Sequence, residues 1–456
     1  LEARKFVPLI VASAVIMQQI DSTALTTALP SMADALQVST LSLHSAITVY
    51  LLALGIFLPI SGWLADRFGA RQLFGAAIAI FTLASLLCAA TSNLPTLVIA
   101  RLIQGFGGAL MLPTARLIIV KSVPRSELVS AMLLMSLPAV IGPTVGPLIG
   151  GFIVSVSSWR WIFWINLPFG IVAILLTLMF IEPIPTGERK PFDMLGFILS
   201  GCGIGALIFG FDLFSDGRGA WTLLLTVAGV LVLLAYIFHA RRRQNPILDL
   251  TLFRYPTFRS SLLGGTLFRT GFGAIPFMLP LLMQEIFGYT ALQSGAITFV
   301  SAIGAFGMRT IAKRILQRFG FRTVLCWNTV IASISIALCA CFTPTTAPIV
   351  MVAMILLGGV FRALQFSSIN TLAFADVASS EMSQATTLSQ MAQRLAQSMG
   401  VAGAAALLRI GSGGSDALTG SAFSVTFVVV GLLSAVSLLS FVRLPADAGD
   451  GLAGRS

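Results

Sequence analysis

Gly62-Trp63-Leu64-Ala65-Asp66-Arg67-Phe68-Gly69-Ala70-Arg71 is a short charged turn set between two long apolar runs. A link this short leaves the flanking segments as antiparallel neighbours. Its two outer glycines, Gly62 and Gly69, allow tight backbone approach, and Asp66, Arg67 and Arg71 are the charges expected where a helix leaves a membrane. An Asp followed at once by an Arg can pair across to the end of another helix or cap it, which makes the stretch a candidate latch.

Working outward, the same alternation continues along the chain. Of the 456 residues, 57% are hydrophobic and only 10% charged, with a mean hydropathy of +0.95. Such a chain has lipid as its solvent. The net charge of +11 is scattered in small groups over the loops, the pattern of membrane topology rather than of a nucleic-acid stripe. Cys88, Cys202, Cys326, Cys339 and Cys341 sit inside apolar runs without metal-ligand spacing and read as small packing residues. The first apolar run continues to Leu29 with no small-residue cleavage site, so no cleavable leader is expected.

Runs of spanning length fall near 6–29, 42–64, 72–91, 94–120, 128–156 and 161–182. After a polar break from Glu182 to Asp193, a pair follows near 194–214 and 221–240, and six more near 258–284, 291–312, 323–342, 347–372, 382–409 and 421–442. The expectation is an all-α integral membrane protein of about fourteen spans. It divides into a six-helix bundle (1–182), a linker with two additional helices (183–257), a second six-helix bundle (258–443) and a tail (444–456). With the N-terminus in the cytoplasm, Arg4, Lys5, Arg67, Arg71, Arg116, Lys121, Arg125, Arg189, Lys190, Arg241 to Arg243, Arg254, Arg259, Lys313, Arg314, Arg318, Arg322, Arg443 and Arg455 fall inside, and Arg160, Arg218 and Arg409 outside. That bias predicts both termini inside and a tail that is cytoplasmic. A weak repeat supports two halves: Gln317-Arg318-Phe319-Gly320-Phe321-Arg322 sits where Asp66-Arg67-Phe68-Gly69-Ala70-Arg71 sits earlier, with Gln317 replacing the acid. Paired half-bundles are the architecture of rocking transporters.

Charges inside the spans are few: Asp21, Arg101, Arg269, Arg309, Arg362 and Arg394, with Asp212 and Glu285 near helix ends. Each costs roughly 2.5 to 3.5 kcal/mol at mid-membrane, so each is expected to face a wet cavity or another of the set. Asp21, in Met17-Gln18-Gln19-Ile20-Asp21-Ser22-Thr23, is a lone carboxylate among apolar residues. Desolvation favours the neutral form and wetting the ionised one, the property a proton carrier needs. Arg101 and Gln104 fall on one helix face, with Gly105 and Gly108 adjoining for close packing. Gly142, Gly146 and Gly150 recur at every fourth position and form a smooth seam, beside Pro147 and Gly151. Trp159, Trp161 and Trp164 suit an interfacial belt.

These stretches together resemble the major facilitator superfamily, in its fourteen-span drug and proton antiporter branch. The opening turn is similar to the signature G-x-L-a-D-r-x-G-r-k, with Ala70 at a commonly basic position. The stretch around Asp21 resembles L-D-x-T-x-V-N-x-A-L-P, with Ile20 for the Leu and Thr26 for the Asn. Arg101 to Gly108 resembles R-x-x-q-G-x-g-a, in which the arginine is linked to proton transfer. Gly142 to Gly151 resembles the exporter-associated G-x-x-x-G-P-x-x-G-G, and Trp159 to Pro168 resembles W-R-W-I-F-x-I-N-x-P. The resemblance implies a major facilitator fold, proton coupling by Asp21 and Arg101, gating by Gly62, Asp66, Arg67, Gly69 and Arg71, and an antiporter motif of Gly142, Gly146, Pro147, Gly150 and Gly151.

The later half offers polar and aromatic surface suited to an amphipathic cavity: Arg269, Arg362, Gln365, Phe366, Asn370, Gln390 and Arg394, joined by Gln18 and Gln104 from the first half. Arg269, Arg362 and Arg394 favour a neutral or anionic amphiphile over a cation. No Walker loop, His/Cys metal cluster or nucleophile with a base is present in the sequence, so neither ATP-driven transport nor enzymatic chemistry has a site. The expected function is proton-coupled export of amphipathic small molecules or drugs by alternating access, with no cofactor beyond the proton. The expected partners are substrate, protons and membrane lipid, without nucleic acid, for a monomer in the cell inner membrane. The alternatives are a lipid or glycolipid translocator of the same fold, an uptake symporter, or a non-transporting sensor.

Overall fold

A computed structural model describes residues 7–123, 131, 134–135, 138–183, 191–215, 219–243, 246–378, 381–414 and 418–449. Arg4, Lys5, Arg125, Arg189, Lys190, Arg218, Arg455, most of the 182–193 break and the end of the tail therefore lie outside the described residues, as do the side chains of Asp212 and Arg309. Among the described residues the chain is helical throughout, without strands.

The first compact unit holds residues 1–193 together with 290–295. Its helices are α1 (Val7–Leu36), α2 (His44–Phe57), α3 (Ile60–Phe68), α4 (Ala70–Ala90), α5 (Leu94–Ser122), α6 (Pro138–Val156), α7 (Trp161–Trp164) and α8 (Asn166–Phe180). Helices α2 and α3 are a pair bent by 59° at Leu58 and Pro59, where the proline removes a backbone donor. Gly69 ends α3 and starts α4 with φ 88°, a conformation that favours glycine, and its N–H closes on the Ala65 carbonyl. Asn93 caps α5 by accepting from the Thr96 N–H at 3.0 Å, with Pro95 in the first turn.

The second unit holds residues 194–289 and 296–456. It contains α9 (Met194–Ser215), α10 (Gly219–Arg242), α11 (Pro256–Gly273), α12 (Ile275–Leu281), most of α13 (Ala291–Phe319), α14 (Phe321–Leu338), α15 (Pro348–Leu372), α16 (Met382–Gly411), α17 (Gly420–Val436) and α18 (Leu438–Val442). The two additional helices, α9 and α10, thus group with this unit. A buried cluster explains their attachment: Tyr236 and Ala240 pack with Leu248, Leu252, Phe258 and Leu388. The Tyr236 hydroxyl also accepts from the Leu248 N–H and donates to its carbonyl. Beside them, Arg254 donates to Glu381 and Tyr255. The guanidinium is held above its ordinary range by the Tyr255 hydroxyl first and then by the Glu381 charge.

All fourteen apolar stretches read from the sequence carry helix in their described parts. Ten helices are long and apolar enough to cross a membrane, or eleven with the bent α2 and α3 pair counted as one span, among the described residues. Within α6 and α9 the described apolar stretches are Val145–Val156 and Met194–Gly210, and α16 is amphipathic, with Gln384, Gln390, Gln393, Arg394 and Gln397 along it. This is a multi-pass membrane protein.

The internal repeat extends to three dimensions. Gly320, between α13 and α14, has φ 76° where Gly69 has 88°. Two residues beyond each glycine an arginine reaches a helix-end carbonyl: Arg71 donates to Leu178 in the last turn of α8, and Arg322 to Val442 at the end of α18, at 3.1 Å. Loss of the acid at Gln317 leaves this half of the turn's chemistry untouched.

Candidate functional site

In the first unit, five spans bring polar side chains to one buried point. Asp21 of α1 is 2% exposed, and Arg101 and Gln104 of α5 are fully buried. Arg101 Nη1 donates to Asp21 Oδ2 at 2.6 Å and to Gln104 Oε1 at 2.6 Å. Gln104 Nε2 donates to Asp21 Oδ1 at 3.1 Å, and Asn166 Nδ2 of α8 donates to the same oxygen at 2.8 Å. Asn166 also donates to Ser85 Oγ of α4 at 2.9 Å, and Ser85 donates to the Phe163 carbonyl. The Arg101 guanidinium stands 4.1 Å from the Tyr50 ring centroid of α2 and 5.7 Å from that of Phe163. Three donors, one fully charged, therefore satisfy a carboxylate that would otherwise be costly in the hydrocarbon. The accounting on the other side is incomplete, since Arg101 Nε and Nη2 have no hydrogen-bond partner and lie against aromatic faces instead.

Small residues make this convergence fit. A Cβ on Gly105 would meet Ala53 and the Tyr50 carbonyl of α2, one on Gly107 the Phe81 N–H and Ala77 carbonyl of α4, and one on Gly108 the Gln18 amide of α1. Gln18, one turn from Asp21, donates to the Gly108 carbonyl at 3.1 Å and keeps its Oε1 unpartnered. The α6 seam fits α1 in register, with Gly142 against Gln19, Gly146 against Thr23 and Gly150 against Ala24 and Thr27. Thr23 and Thr27 donate to the Gly142 and Pro147 carbonyls, both at 3.2 Å. On the other side of α6, Gly151 and Gly295 let α6 and the first turn of α13 approach backbone to backbone.

The charged turn is different. Asp66 forms neither ion pair nor hydrogen bond among the described residues, so the expected latch has no partner there. Arg67 lies over the Trp63 ring at 5.3 Å. A Cβ on Gly62 would meet open space, which removes the close approach read for that glycine from the sequence. Trp159 likewise departs from the expected belt: it is 2% exposed and packed edge-on against Phe163, whereas Trp161 and Trp164 are exposed.

In the second unit, Arg269 of α11 donates to Asn370 of α15 and lies 5.5 Å from the Phe366 ring. Arg362 of α15 lies 5.1 Å from the Phe272 ring and donates to Ser301 Oγ at 3.5 Å. Gln365 is fully buried and occupied: it accepts from Asn328 at 2.7 Å and donates to Thr329 at 2.7 Å. That makes it a structural tie between α14 and α15 rather than cavity surface. Arg394 donates to Gln397 on its own helix, and Gln390 shares that helix, α16.

Asn166, Ser85 and Tyr50 carry no assigned role in the sequence reading. For Asn166 the signal was available, as a lone amide in the run Phe163-Trp164-Ile165-Asn166-Leu167-Pro168. For Ser85 and Tyr50 it was not, since small hydroxyls and tyrosines are common in spans.

A model of the Major Facilitator Superfamily matches residues 11–401 and again 261–455. Proteins of Salmonella newport (strain SL254) and Salmonella typhi, each named "Putative multidrug resistance protein MdtD", are 38% identical over 448 residues, covering 96% of this chain and 94% of the relative. Among solved structures, a POT family transporter in complex with a thioalcohol conjugated peptide superposes with TM-score 0.71 at 14% identity, over 95% of this chain and 94% of that one. A D-xylose-proton symporter gives 0.68 at 15% identity, over 97% and 98%. At such identities these two structures speak to the fold alone.

Proposed function

From the premise that this chain belongs to the major facilitator superfamily, and is thus a transporter rather than an enzyme, we propose that it exports drugs or other amphipathic small molecules in exchange for protons by alternating access. The name carried by relatives at 38% identity supports the drug class. The observation that carries the coupling is the buried Asp21 and Arg101 pair at 2.6 Å. A proton and a guanidinium compete for one carboxylate: while Arg101 holds Asp21 the anion is neutralised, and when the helices part, water and a proton take its place. Gln104 and Asn166 keep the carboxylate in one orientation for that exchange. The α1 and α6 glycine seam supplies a smooth surface for helix movement, and the turn from Gly62 to Arg71, including Asp66, Arg67 and Gly69, gates rather than binds.

The reading places the protein in the cell inner membrane as a monomer with about fourteen spans and both termini cytoplasmic. Residues 1–182 and 258–443 form its two halves, 183–257 carries the additional pair, and 444–456 the tail. Inside-out vesicles provide the test. With an acidic lumen they should accumulate a transported drug, and an uncoupler should abolish the accumulation. Accumulation indifferent to the proton gradient, or driven in the opposite sense, would refute proton-coupled export.

A further inference from the structure

Two arginines inside spans of the second unit, Arg269 and Arg362, have no carboxylate within ion-pair distance among the described residues. Arg269 is 2% exposed, its Nε has no hydrogen-bond partner, and its one polar contact is the neutral Asn370 side chain. Arg362 has only a long contact to the Ser301 hydroxyl. Neither is within ion-pair distance of a carboxylate among the described residues, in contrast to Arg101 with Asp21. Arg269 is buried and Arg362 half-buried, and a guanidinium withdrawn from water without an anion is costly, so a chain that tolerates two of them has something else to put beside them.

The surroundings specify what that is. Phe268, Phe272 and Phe366 form one aromatic cluster, with centroids 5.8 to 6.0 Å apart. Arg269 lies over Phe366 and Arg362 over Phe272, so the two cations flank the cluster. Each guanidinium lies beside a ring of the cluster, Arg269 Nε keeps an unused N–H, and a planar fork of this kind recognises two-oxygen groups. Beside Phe272 a cavity of about 50 Å³ is lined by Arg362, Ser301 and Ser335 together with apolar residues that include Ile336 and Ile355. That volume holds a group of a few heavy atoms, the size of an acidic head.

We infer that the Arg269 and Arg362 pair, with the phenylalanine cluster between them, binds the carboxylate of an amphipathic solute whose apolar body rests on the rings. The inference rests on the transport reading only in taking the solute to be a substrate; binding itself requires neither coupling nor direction. It therefore deepens the substrate class, and equilibrium binding separates its failure from failure of proton-coupled export. Purified protein in neutral detergent is titrated with three radiolabelled probes sharing one naphthyl body: the carboxylate, its primary amide and a quaternary ammonium. The carboxylate should bind at least tenfold more tightly than the amide, and the ammonium least tightly. Arg362→Gln should bring carboxylate and amide within about twofold, with an unchanged unfolding midpoint in detergent showing that the variant is folded; Arg362→Lys should retain part of the preference. Arg269→Gln should act in the same direction where it folds. Equal binding of carboxylate and amide, tighter binding of the ammonium, no saturable carboxylate binding, or an unaltered preference in Arg362→Gln would each overturn the inference. So would occupancy by lipid phosphate instead, seen as displacement of the carboxylate by phosphatidylglycerol at stoichiometric amounts with no competition from other soluble carboxylates.

Discussion

Replacing Asp21 by Asn looks at first like a clean removal of a proton, since the amide is nearly isosteric with the acid. The geometry predicts a second effect. Arg101, Gln104 and Asn166 all aim donors at the Asp21 oxygens, and Arg101 is fully buried. An amide keeps one acceptor oxygen but turns an NH2 group toward another donor, and it leaves the guanidinium uncompensated. Breaking a buried ion pair by removing one partner costs roughly 3 to 5 kcal/mol, and an unpaired arginine at mid-membrane roughly 2.5 to 3.5 kcal/mol. Both point to about 3 kcal/mol, or roughly a hundredfold in the folding equilibrium at 1.36 kcal/mol per decade. The double variant Asp21→Asn with Arg101→Met removes the stranded charge and should recover most of that loss, because an apolar replacement of a buried pair is often neutral or stabilising. Neither variant should couple. The assays are denaturant unfolding in detergent and drug-driven proton release from proteoliposomes. A single variant as stable as the parent, or a double variant no more stable than the single, would refute the account of the pair as a mutually dependent buried unit; wild-type proton release from either would remove Asp21 from the mechanism.

Other expectations follow from neighbouring contacts. Gly146→Val should disrupt packing of α1 on α6, since even a Cβ there lies 2.9 Å from Thr23 Cβ, and a cost of about 1 to 3 kcal/mol is typical of overpacking; thermal unfolding in detergent checks it, and an unchanged midpoint contradicts the seam. Gly62→Ala, facing open space, should leave that midpoint within error, so a fall in turnover would locate the demand for glycine in another conformation of the transport cycle. Asp66→Asn should lower turnover with little change in equilibrium substrate affinity, and affinity weakened in proportion to rate would contradict a gating role. Asn166→Leu removes a donor shared by Asp21 and Ser85, so about 1 to 3 kcal/mol of stability and part of the coupled rate should go together, as unfolding and proteoliposome flux measured on the same preparation will show.

Legibility in the sequence followed the length scale of the physics. Spans were legible because hydrocarbon demands about twenty apolar residues whatever the neighbours, and the turns at Gly69 and Gly320 because φ near 80° selects glycine locally. The α6 seam was legible as a spacing, but its partner was not: nothing in Gly142, Gly146 and Gly150 names Gln19, Thr23 and Thr27. Helices α2 and α3 read as one straight span because hydropathy does not register a bend at Pro59. The apolar surface of Trp159 gives no hint whether lipid or protein covers it, and here protein does.

The site shows the same division more sharply. Asp21, Arg101 and Gln104 stood out because a charge or amide in a span is expensive, and expense is visible residue by residue. Which of the span charges meet was not visible, since Asp21 faces five candidate arginines in the spans and only packing selects among them. Packing gives Arg101 a carboxylate, one amide partner and two aromatic faces, while Arg269 and Arg362 have aromatic faces and neutral partners alone. In the sequence all three are one arginine in an apolar run. The difference lies in what stands opposite: a protein anion makes Arg101 part of a unit that can trade its partner for a proton, and the lack of one leaves Arg269 and Arg362 as the places where an anion from outside the chain has the most to gain.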